Sequence, residues 1–165
     1  MSLENPLNIL ILCTGNSCRS IMAECILQRQ GEGRLQVYSA GSKPQGKVAA
    51  HSLTLLNELG YDTSGLRSKS WDEFSQPGSP SIDIVITVCS NAAGETCPIW
   101  PGHPLTVHWP FPDPFHFEGT EEEKLAYYRT VYDMLEQRFI DMVNLPLETL
   151  DTATLKSQLN RLGAV

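Results

Sequence analysis

The sequence predicts one α/β domain of three layers, with helices on both faces of a four-stranded parallel sheet. Apolar runs rich in β-branched residues alternate along the chain with amphipathic stretches. Strands separated by helices need crossover connections, and such connections join parallel strands. A chain of 165 residues, 41% of them hydrophobic and 19% charged, is long enough for one such domain. We assign residues 1–165 to this domain, with a core at about 7–142 and a helical tail at 152–162.

The first half of the chain predicts two strands and two helices in alternation. Residues Leu7–Leu12 are apolar almost throughout, which is typical of a buried strand. A helix is expected at about Cys18–Gln30, and Leu35–Ser39 is expected to be the second strand. Val48–Leu59 has the apolar spacing of a second helix, and glycines follow both helices as terminators.

The second half predicts two further strands and a long helix. A short helix opens at Ser68–Glu73, and Ile82–Val88, the run richest in β-branched residues, is expected to be a central strand. Leu105–Trp109 is a weaker fourth strand. Thr120 and Glu123 form a capping box at the start of the long helix. Its apolar stripe consists of Leu125, Tyr128, Tyr132, Leu135, Phe139 and Met142.

The residues between the first strand and the first helix have the chemistry of an oxyanion site: Cys13-Thr14-Gly15-Asn16-Ser17-Cys18-Arg19-Ser20. Gly15 and Asn16 tolerate the left-handed backbone angles that turn amide groups inward, and the positive end of the helix adds to this nest. Arg19 presents a planar fork of donors. We therefore assign oxyanion binding to Thr14, Gly15, Asn16, Ser17, Cys18 and Arg19.

Cys13 is the candidate nucleophile of this loop. The positive field that binds an oxyanion also favours the thiolate form of a cysteine, and Ser20 can donate a hydrogen bond to that thiolate. The alternative is a buried cysteine at a strand end beside a surface arginine.

Two more cysteines, Cys89 and Cys97, bracket a small and polar stretch directly after the central strand. They can form a disulfide if the stretch brings their Cα atoms within about 7 Å. The alternative is two small buried residues. A zinc site is a weaker interpretation, because the spacing is not that of a zinc motif and only His103 and His108 lie nearby in the sequence.

Asp113 lies on the proline-rich stretch Trp109–Pro114 and is a candidate general acid. A stiff, apolar loop partly desolvates a carboxyl group and so favours its protonated form. Asp-Pro is also a common turn dipeptide. Cys13, Cys89 and Asp113 all follow predicted strand ends. Because ligands of parallel sheets bind beyond the carboxyl ends of the strands, we expect these three residues to meet there.

Charge and cysteine content narrow the class of function. A net charge of −7 argues against general binding to nucleic acid or to a membrane surface. The chain has no apolar run of about 18 residues, the length that a membrane span requires. Residues 1–8 contain no basic and hydrophobic leader, so we expect a cytoplasmic protein. In that reducing compartment, five cysteines are more often catalytic, redox-active or metal-binding than structural disulfides.

Taken together, these stretches resemble the arsenate reductases built on the low-molecular-weight tyrosine phosphatase fold. The resemblance spans Leu7 to about Met142 and rests on Cys13–Ser20, Tyr38-Ser-Ala-Gly41, Thr87-Val-Cys-Ser-Asn-Ala-Ala-Gly-Glu-Thr-Cys-Pro98 and Asp113-Pro114. The loop and the Asp-Pro pair fit both the reductases and the phosphatases, whereas the pair of Cys89 and Cys97 favours the reductases. The resemblance implies a sheet with the strand order 2-1-3-4.

The resemblance also implies a relay of three cysteines that reduces arsenate to arsenite. Cys13 attacks arsenate held by the loop and Arg19, while Asp113 protonates the departing oxygen. Cys89 then attacks the sulfur of the arsenic adduct, arsenite leaves, and the disulfide passes from Cys13 to Cys97. Thioredoxin, or glutathione with glutaredoxin, would regenerate the thiols, and no tightly bound cofactor is implied.

Two other functions remain open. A low-molecular-weight phosphatase would use Cys13, Arg19 and Asp113 on phosphate esters without the relay. A non-catalytic oxyanion or thiol-metal sensor would use the same loop for binding alone.

Some relatives in this family bind a monovalent cation near the loop, through residues that match Asn16, Glu24 and Ser39 here. In this chain Lys69 replaces an aspartate of that site, and its positive charge opposes a bound cation.

The remaining cysteines, aromatic residues and histidines have less specific interpretations. Cys18 is expected to support the loop, and Cys25 falls on the buried stripe of the first helix. Four aromatic residues either wall the pocket or pack in the core: Trp100, Trp109, Phe111 and Phe115. The histidines are expected on the surface or in loops: His51, His103, His108 and His116.

Overall fold

A computed structural model of the protein describes residues 6–88 and 104–163. Its elements in chain order are β1 (Leu7–Cys13), α1 (Arg19–Gln30), β2 (Leu35–Gly41), α2 (Ala50–Glu58), a short 3-10 helix (Trp71–Phe74), β3 (Ile84–Thr87), β4 (Leu105–His108), α3 (Glu121–Val143) and α4 (Thr152–Gly163). None of the helices in these two ranges is long and apolar enough to cross a membrane.

The four strands form one parallel sheet in the order β2-β1-β3-β4, which confirms the predicted topology. Ile9 pairs with Val37 on one side and with Ile84 on the other, so β1 is an inner strand. Because all four strands run in the same direction, their carboxyl ends lie along one edge of the sheet. The loop after β1 and the segment after β4 both begin at that edge.

The alternation of side chains along β1 divides the core between the two faces of the sheet. Ile9 and Ile11 are fully buried in the larger cluster, to which all four α-helices contribute. Leu10 and Leu12 belong to a second cluster, which contains Trp71 of the 3-10 helix. Burial on both faces explains why β1 is apolar without alternation.

The first residues of two helices differ from the prediction, because a side chain or a loop carbonyl accepts a hydrogen bond from a backbone N–H group there. The side chain of Ser70 accepts a hydrogen bond from the N–H of Asp72 at 3.1 Å, so the 3-10 helix begins later than predicted. The N–H of Ala49 donates to the carbonyl of Ser17 in the loop, and α2 begins after it. The predicted capping box of Thr120 is confirmed at the start of α3.

Arg34, which precedes β2, joins that strand to the end of α3. Its Nη1 donates to the carbonyl of Val143 at 2.8 Å, and its Nη2 donates to the carbonyl of Leu145 at 3.2 Å. The same guanidinium forms an ion pair with Glu148. One side chain therefore binds the last carbonyl group of α3, which the helix itself leaves unpaired, and a carbonyl of the turn that follows.

Candidate active site

The loop after β1 is held from outside by the segment that follows β2. Four loop carbonyls accept backbone hydrogen bonds from that segment: Cys13 O from Ser42 N at 3.2 Å, Thr14 O from Lys43 N at 2.9 Å, Gly15 O from Gln45 N at 2.9 Å and Ser17 O from Ala49 N at 3.0 Å. In a trans peptide the next N–H points opposite to the carbonyl. The amide groups of the loop are therefore turned toward its concave side, where an oxyanion binds.

Asn16 and Gly41 supply the two special backbone positions that this loop requires. Asn16 has a φ of 46°, the left-handed conformation expected from its residue type. At Gly41, a Cβ would lie 2.5 Å from Thr14 O and 3.0 Å from the N atom of Asn16. Only glycine lets the end of β2 approach the loop this closely.

Cys13 is buried at the base of the loop and is surrounded by hydrogen-bond donors. Its Sγ accepts a hydrogen bond from the N–H of Asn16 at 3.1 Å and lies 2.8 Å from the Oγ of Ser20. The side-chain amide of Asn16 donates to that same Oγ at 2.7 Å. Ser20 accepts from Asn16 and still has its hydroxyl proton to donate, so it can hydrogen-bond to the thiolate form of Cys13 and favour it.

Asn16 is itself held in this orientation. The N–H of Lys69 donates to its Oδ1 at 2.9 Å, which identifies the oxygen of the amide group. The second amide hydrogen is donated to Ser39 Oγ at 3.0 Å, and Ser39 in turn donates to Glu24 at 2.5 Å. Asn16, which is fully buried, thus links the nucleophile to β2 and α1.

The structure brings the three proposed cation ligands together beside a lysine. Asn16, Ser39 and Glu24 form one hydrogen-bonded chain, and Lys69 Nζ lies 3.9 Å from Glu24 Oε1. Burial raises the pKa of Glu24 and lowers the pKa of Lys69. Within residues 6–88 and 104–163, no group of three His, Cys, Asp or Glu side chains is arranged to hold a metal ion. That Lys69 opposes a monovalent cation at this place stays a prediction.

Arg19 and Asp113 meet above the loop, as the shared sheet edge predicts. Arg19 Nη1 donates to the carbonyl of Phe111 at 2.9 Å, and its Nη2 lies 3.3 Å from Asp113 Oδ2. The other oxygen of Asp113 accepts from the N–H of Phe115 at 3.0 Å. The carboxyl group of Asp113 remains partly exposed and lines the cavity.

Cys18 lies beneath Asp113. Its Sγ is 3.8 Å from Asp113 Oδ1, and the hydroxyl of Tyr128 donates to it at 3.9 Å. Burial raises the pKa of the Cys18 thiol, so it is held protonated in this position. The contact with Asp113 was not predicted from the sequence, because it joins residues far apart in the chain.

The loop and these side chains enclose a cavity of about 130 Å³. It is lined by Cys13, Thr14, Gly15, Asn16, Ser17, Cys18, Arg19, Lys43, Gln45, Asp113, Phe115 and His116. Lys43 and Gln45 were not singled out in the sequence, although their position just after a strand end was a signal. The cavity has room for one tetrahedral oxyanion, with Cys13 at its base.

The aromatic residues divide between the cavity and the core. Phe115 lines the cavity and is 41% exposed, as the pocket interpretation predicts. Trp109 and Phe111 are buried core residues, so of the two alternatives predicted for them core packing is the one that the structure shows. Both belong to the stretch that carries Asp113. Trp100 lies outside the described residues.

Cys25, His51 and His108, which were also singled out in the sequence, each have different neighbours. Cys25 packs against the core, and burial raises its pKa to about 12. His51 contacts Glu121 at 2.7 Å, and His108 Nδ1 lies 2.7 Å from Thr87 Oγ1. Cys89, Cys97 and His103 lie outside the described residues, so the predicted relay is not part of the described geometry.

Comparisons with known proteins agree with this geometry. Residues 8–158 match the family model described as low molecular weight phosphotyrosine protein phosphatase. A protein named arsenate reductase from Halalkalibacterium halodurans is 41% identical over 130 residues, which are 79% of this chain and 90% of that protein.

Solved structures show the same fold. An arsenate reductase from Archaeoglobus fulgidus superposes with a TM-score of 0.65 at 23% identity, over 83% of this chain and 99% of that one. A thioredoxin-dependent arsenate reductase from Corynebacterium glutamicum has a TM-score of 0.55 at 23% identity, over 83% of this chain and 64% of that one.

Proposed function

The chain belongs to the low molecular weight phosphotyrosine protein phosphatase family, and we propose that within it the protein reduces arsenate to arsenite. The observation that carries the proposal is the 41% sequence identity between this chain and the Halalkalibacterium halodurans arsenate reductase over most of both chains. The described site supplies the first half of that chemistry, since it combines a thiol, a loop of amide donors and a carboxyl group around one small cavity.

Cys13 is the nucleophile in this proposal. The amide groups of the loop and the guanidinium of Arg19 hold the arsenate oxygens, while the Sγ of Cys13 bonds to arsenic. Asp113 protonates the oxygen that departs as water. In the described structure Arg19 is paired with Asp113 at 3.3 Å, and a bound oxyanion gives the guanidinium a second partner. The carboxyl group of Asp113 then lies beside the bound oxyanion, within reach of the oxygen that departs.

Cys89 and Cys97 complete the electron transfer. The Cys89 thiolate attacks the sulfur of Cys13, the sulfur–arsenic bond breaks, and its electron pair stays on arsenic, which leaves as arsenite. The thiolate of Cys97 then attacks Cys89 and releases Cys13, so that two thiols have been oxidised to one disulfide. An external thiol restores the pair, which places the reaction in a reducing cytoplasm. The Corynebacterium glutamicum protein is thioredoxin-dependent, which supports thioredoxin over glutathione with glutaredoxin as the donor.

An arsenate reduction assay with thioredoxin or glutathione/glutaredoxin supplied separately tests this proposal. Replacement of Cys13 or Cys89 by serine is expected to abolish turnover, because either change removes a sulfur from the first disulfide. Cys97→Ser is expected to stop after one turnover, with a Cys13–Cys89 disulfide that mass spectrometry can detect. Cys25→Ser is the matched control, since Cys25 packs against the core away from the cavity lining. Full turnover by Cys89→Ser would contradict the relay.

A second candidate function is hydrolysis of phosphate monoesters. The observation in its favour is that Cys13, Arg19 and Asp113 line one cavity, since hydrolysis of a phosphate ester by these three residues needs no second thiol. Aryl phosphate turnover that survives Cys89→Ser, beside negligible arsenate reduction by the unmodified protein, would select this function over the first.

A further inference from the structure

The helix α4 contacts the segment that carries Asp113 through the side chain of Trp109. The indole is fully buried, and its Nε1 donates to the carbonyl of Leu159 at 2.9 Å. That carbonyl lies toward the C-terminal end of α4, where the helix dipole favours a donor. A Cβ on Gly163 would lie 2.3 Å from Trp109 Cδ1, so only glycine lets the end of α4 close on the indole.

A second set of contacts joins the same indole to α3 and the backbone of Trp109 to β3. The ring of Phe139 lies 5.7 Å from that of Trp109, and Arg138 lies 5.6 Å from the Trp109 ring and 5.1 Å from the ring of Phe111. The backbone N–H of Trp109 donates to the carbonyl of Thr87 at 2.7 Å. The helices α3 and α4 therefore hold the side chain of Trp109, and β3 holds its backbone.

The stretch after Trp109 is stiff, so the position of Trp109 determines where Phe111 and Asp113 lie in the active site. Every second residue in it is proline, at Pro110, Pro112 and Pro114. Each proline holds its φ near about −65°, which leaves the stretch few free dihedral angles. Along this stretch the carbonyl of Phe111 binds Arg19, and the carboxyl group of Asp113 pairs with the same guanidinium.

We propose that Trp109 is a positioning residue for Asp113, and that α4 sets its position through Leu159 and Gly163. The inference rests on the proposed function only in that Asp113 is taken as the proton donor to the leaving oxygen. Displacement of the indole would move the carboxyl group relative to the cavity. The loop itself would keep its amide donors, because residues 42–49 hold it from the opposite end of the sheet edge.

Two variants disturb the contact in different ways. Trp109→Phe removes the indole N–H and keeps an aromatic ring in the core. Gly163→Ala places a methyl group against the indole and pushes α4 away. The matched controls are Trp71→Phe, which removes an indole from the core cluster on the other face of the sheet, and Lys156→Ala on the exposed face of α4. The thermal unfolding temperature of each variant distinguishes a variant that has lost its fold from one in which only Asp113 is displaced.

The first readout follows the carboxyl group directly. The pH titration of Asp113, followed by NMR in the presence of inorganic phosphate, is expected to shift in Trp109→Phe and in Gly163→Ala but not in the two controls. This measurement needs no turnover, so it remains informative if the protein reduces no arsenate. A titration in both variants that matches the unmodified protein would overturn the inference while leaving the proposed function intact.

The second readout follows proton delivery to the leaving group. An activated nitrophenyl phosphate needs little protonation of its leaving oxygen, whereas phenyl phosphate needs it. We expect Trp109→Phe to slow phenyl phosphate hydrolysis about tenfold, the scale of a modest misplacement of a catalytic group, with little change for the nitrophenyl ester. In an Asp113→Asn background, Trp109→Phe is expected to add no further loss. If Trp109→Phe slowed the hydrolysis of both esters equally, or slowed the Asp113→Asn variant as much as it slows the unmodified protein, Trp109 would have a structural role alone. If the unmodified protein hydrolyses neither ester, the titration alone decides.

Discussion

At the scale of single residues, the orientation of Asn16 decides how Cys13 is activated. Its amide oxygen accepts from the backbone of Lys69, so its two amide hydrogens are directed at Ser20 and Ser39. Ser20 thus accepts one hydrogen bond from Asn16 and keeps its own proton, which it can donate to the sulfur of Cys13 when that sulfur is a thiolate. Asn16 therefore holds Ser20 beside the nucleophile.

Ser20→Ala is expected to shift the reactivity of Cys13 toward higher pH. A hydrogen bond to a charged group contributes about 1.5 kcal/mol, which corresponds to about one pH unit. The rate of Cys13 alkylation by iodoacetamide, followed by mass spectrometry of the Cys13 peptide across a pH series, measures this shift.

Ser52→Ala is the matched control for that measurement. Ser52 is also buried, but its hydroxyl finds no hydrogen-bond partner among the described residues. Its replacement is expected to leave the alkylation profile unchanged. An unchanged profile in Ser20→Ala would contradict the donor role of Ser20.

At the scale of elements, Arg34 connects the start of β2 to the end of α3. The hydrogen bond from Arg34, together with its charge, lowers the pKa of Glu148 from the ordinary value of 4.5. A carboxyl group with a lowered pKa stabilises the fold above the pKa of the unfolded chain. That contribution disappears as the pH falls through the pKa of the folded state.

Glu148→Gln is therefore expected to lower the free energy of unfolding at neutral pH but not in acid. The loss at pH 7 is expected to be at most about 1 kcal/mol, because the ion pair is partly exposed to solvent. Urea denaturation of the variant and the unmodified protein between pH 7 and pH 3 measures the difference. Glu58→Gln, at the exposed end of α2, serves as the control. A pH-independent difference would argue for lost packing instead of a lost ion pair.

At the scale of the whole molecule, the cavity joins three stretches that are distant in the chain. The loop after β1, the segment after β2 and the segment after β4 each contribute lining residues, including Arg19, Lys43 and Asp113. The net charge of −7 repels anions at long range, so local donors must supply the attraction. An oxyanion bound there stabilises the fold that assembles these donors.

Inorganic phosphate is expected to raise the stability of the protein by mass action. At a concentration 100 times its Kd, the expected gain is about 2.7 kcal/mol, measured by thermal or chemical unfolding. Arg19→Lys is expected to reduce the gain at the same phosphate concentration, because lysine lacks the planar fork. Arg67→Lys, which alters an exposed arginine paired with Glu73, is the control. A gain in Arg19→Lys equal to that of the unmodified protein would show that phosphate binds elsewhere.

The sequence predicted the parts of this molecule that local patterns specify. The parallel sheet, the loop and the approach of Asp113 to that loop follow from short motifs and from the rule that parallel strands end at one edge, whereas the strand order was implied by the family resemblance. The contact between Cys18 and Asp113 and the burial of Trp109 depend on how distant segments pack, which periodicity does not encode. The helix α2 begins later than predicted for the same reason, since the carbonyl of Ser17 in the loop accepts a hydrogen bond from the N–H of Ala49.

The position of β1 in the sheet has a consequence for synthesis of the protein on the ribosome. This strand emerges first, yet Ile9 pairs with Ile84, which is made much later. Until then one edge of an apolar strand has no partner, and such an edge favours association with other chains. Asp113 and α4 emerge later still. A nascent chain thus acquires its reactive centre only after Asp113 and α4 have been made, and we expect shorter arrest products to depend on chaperones.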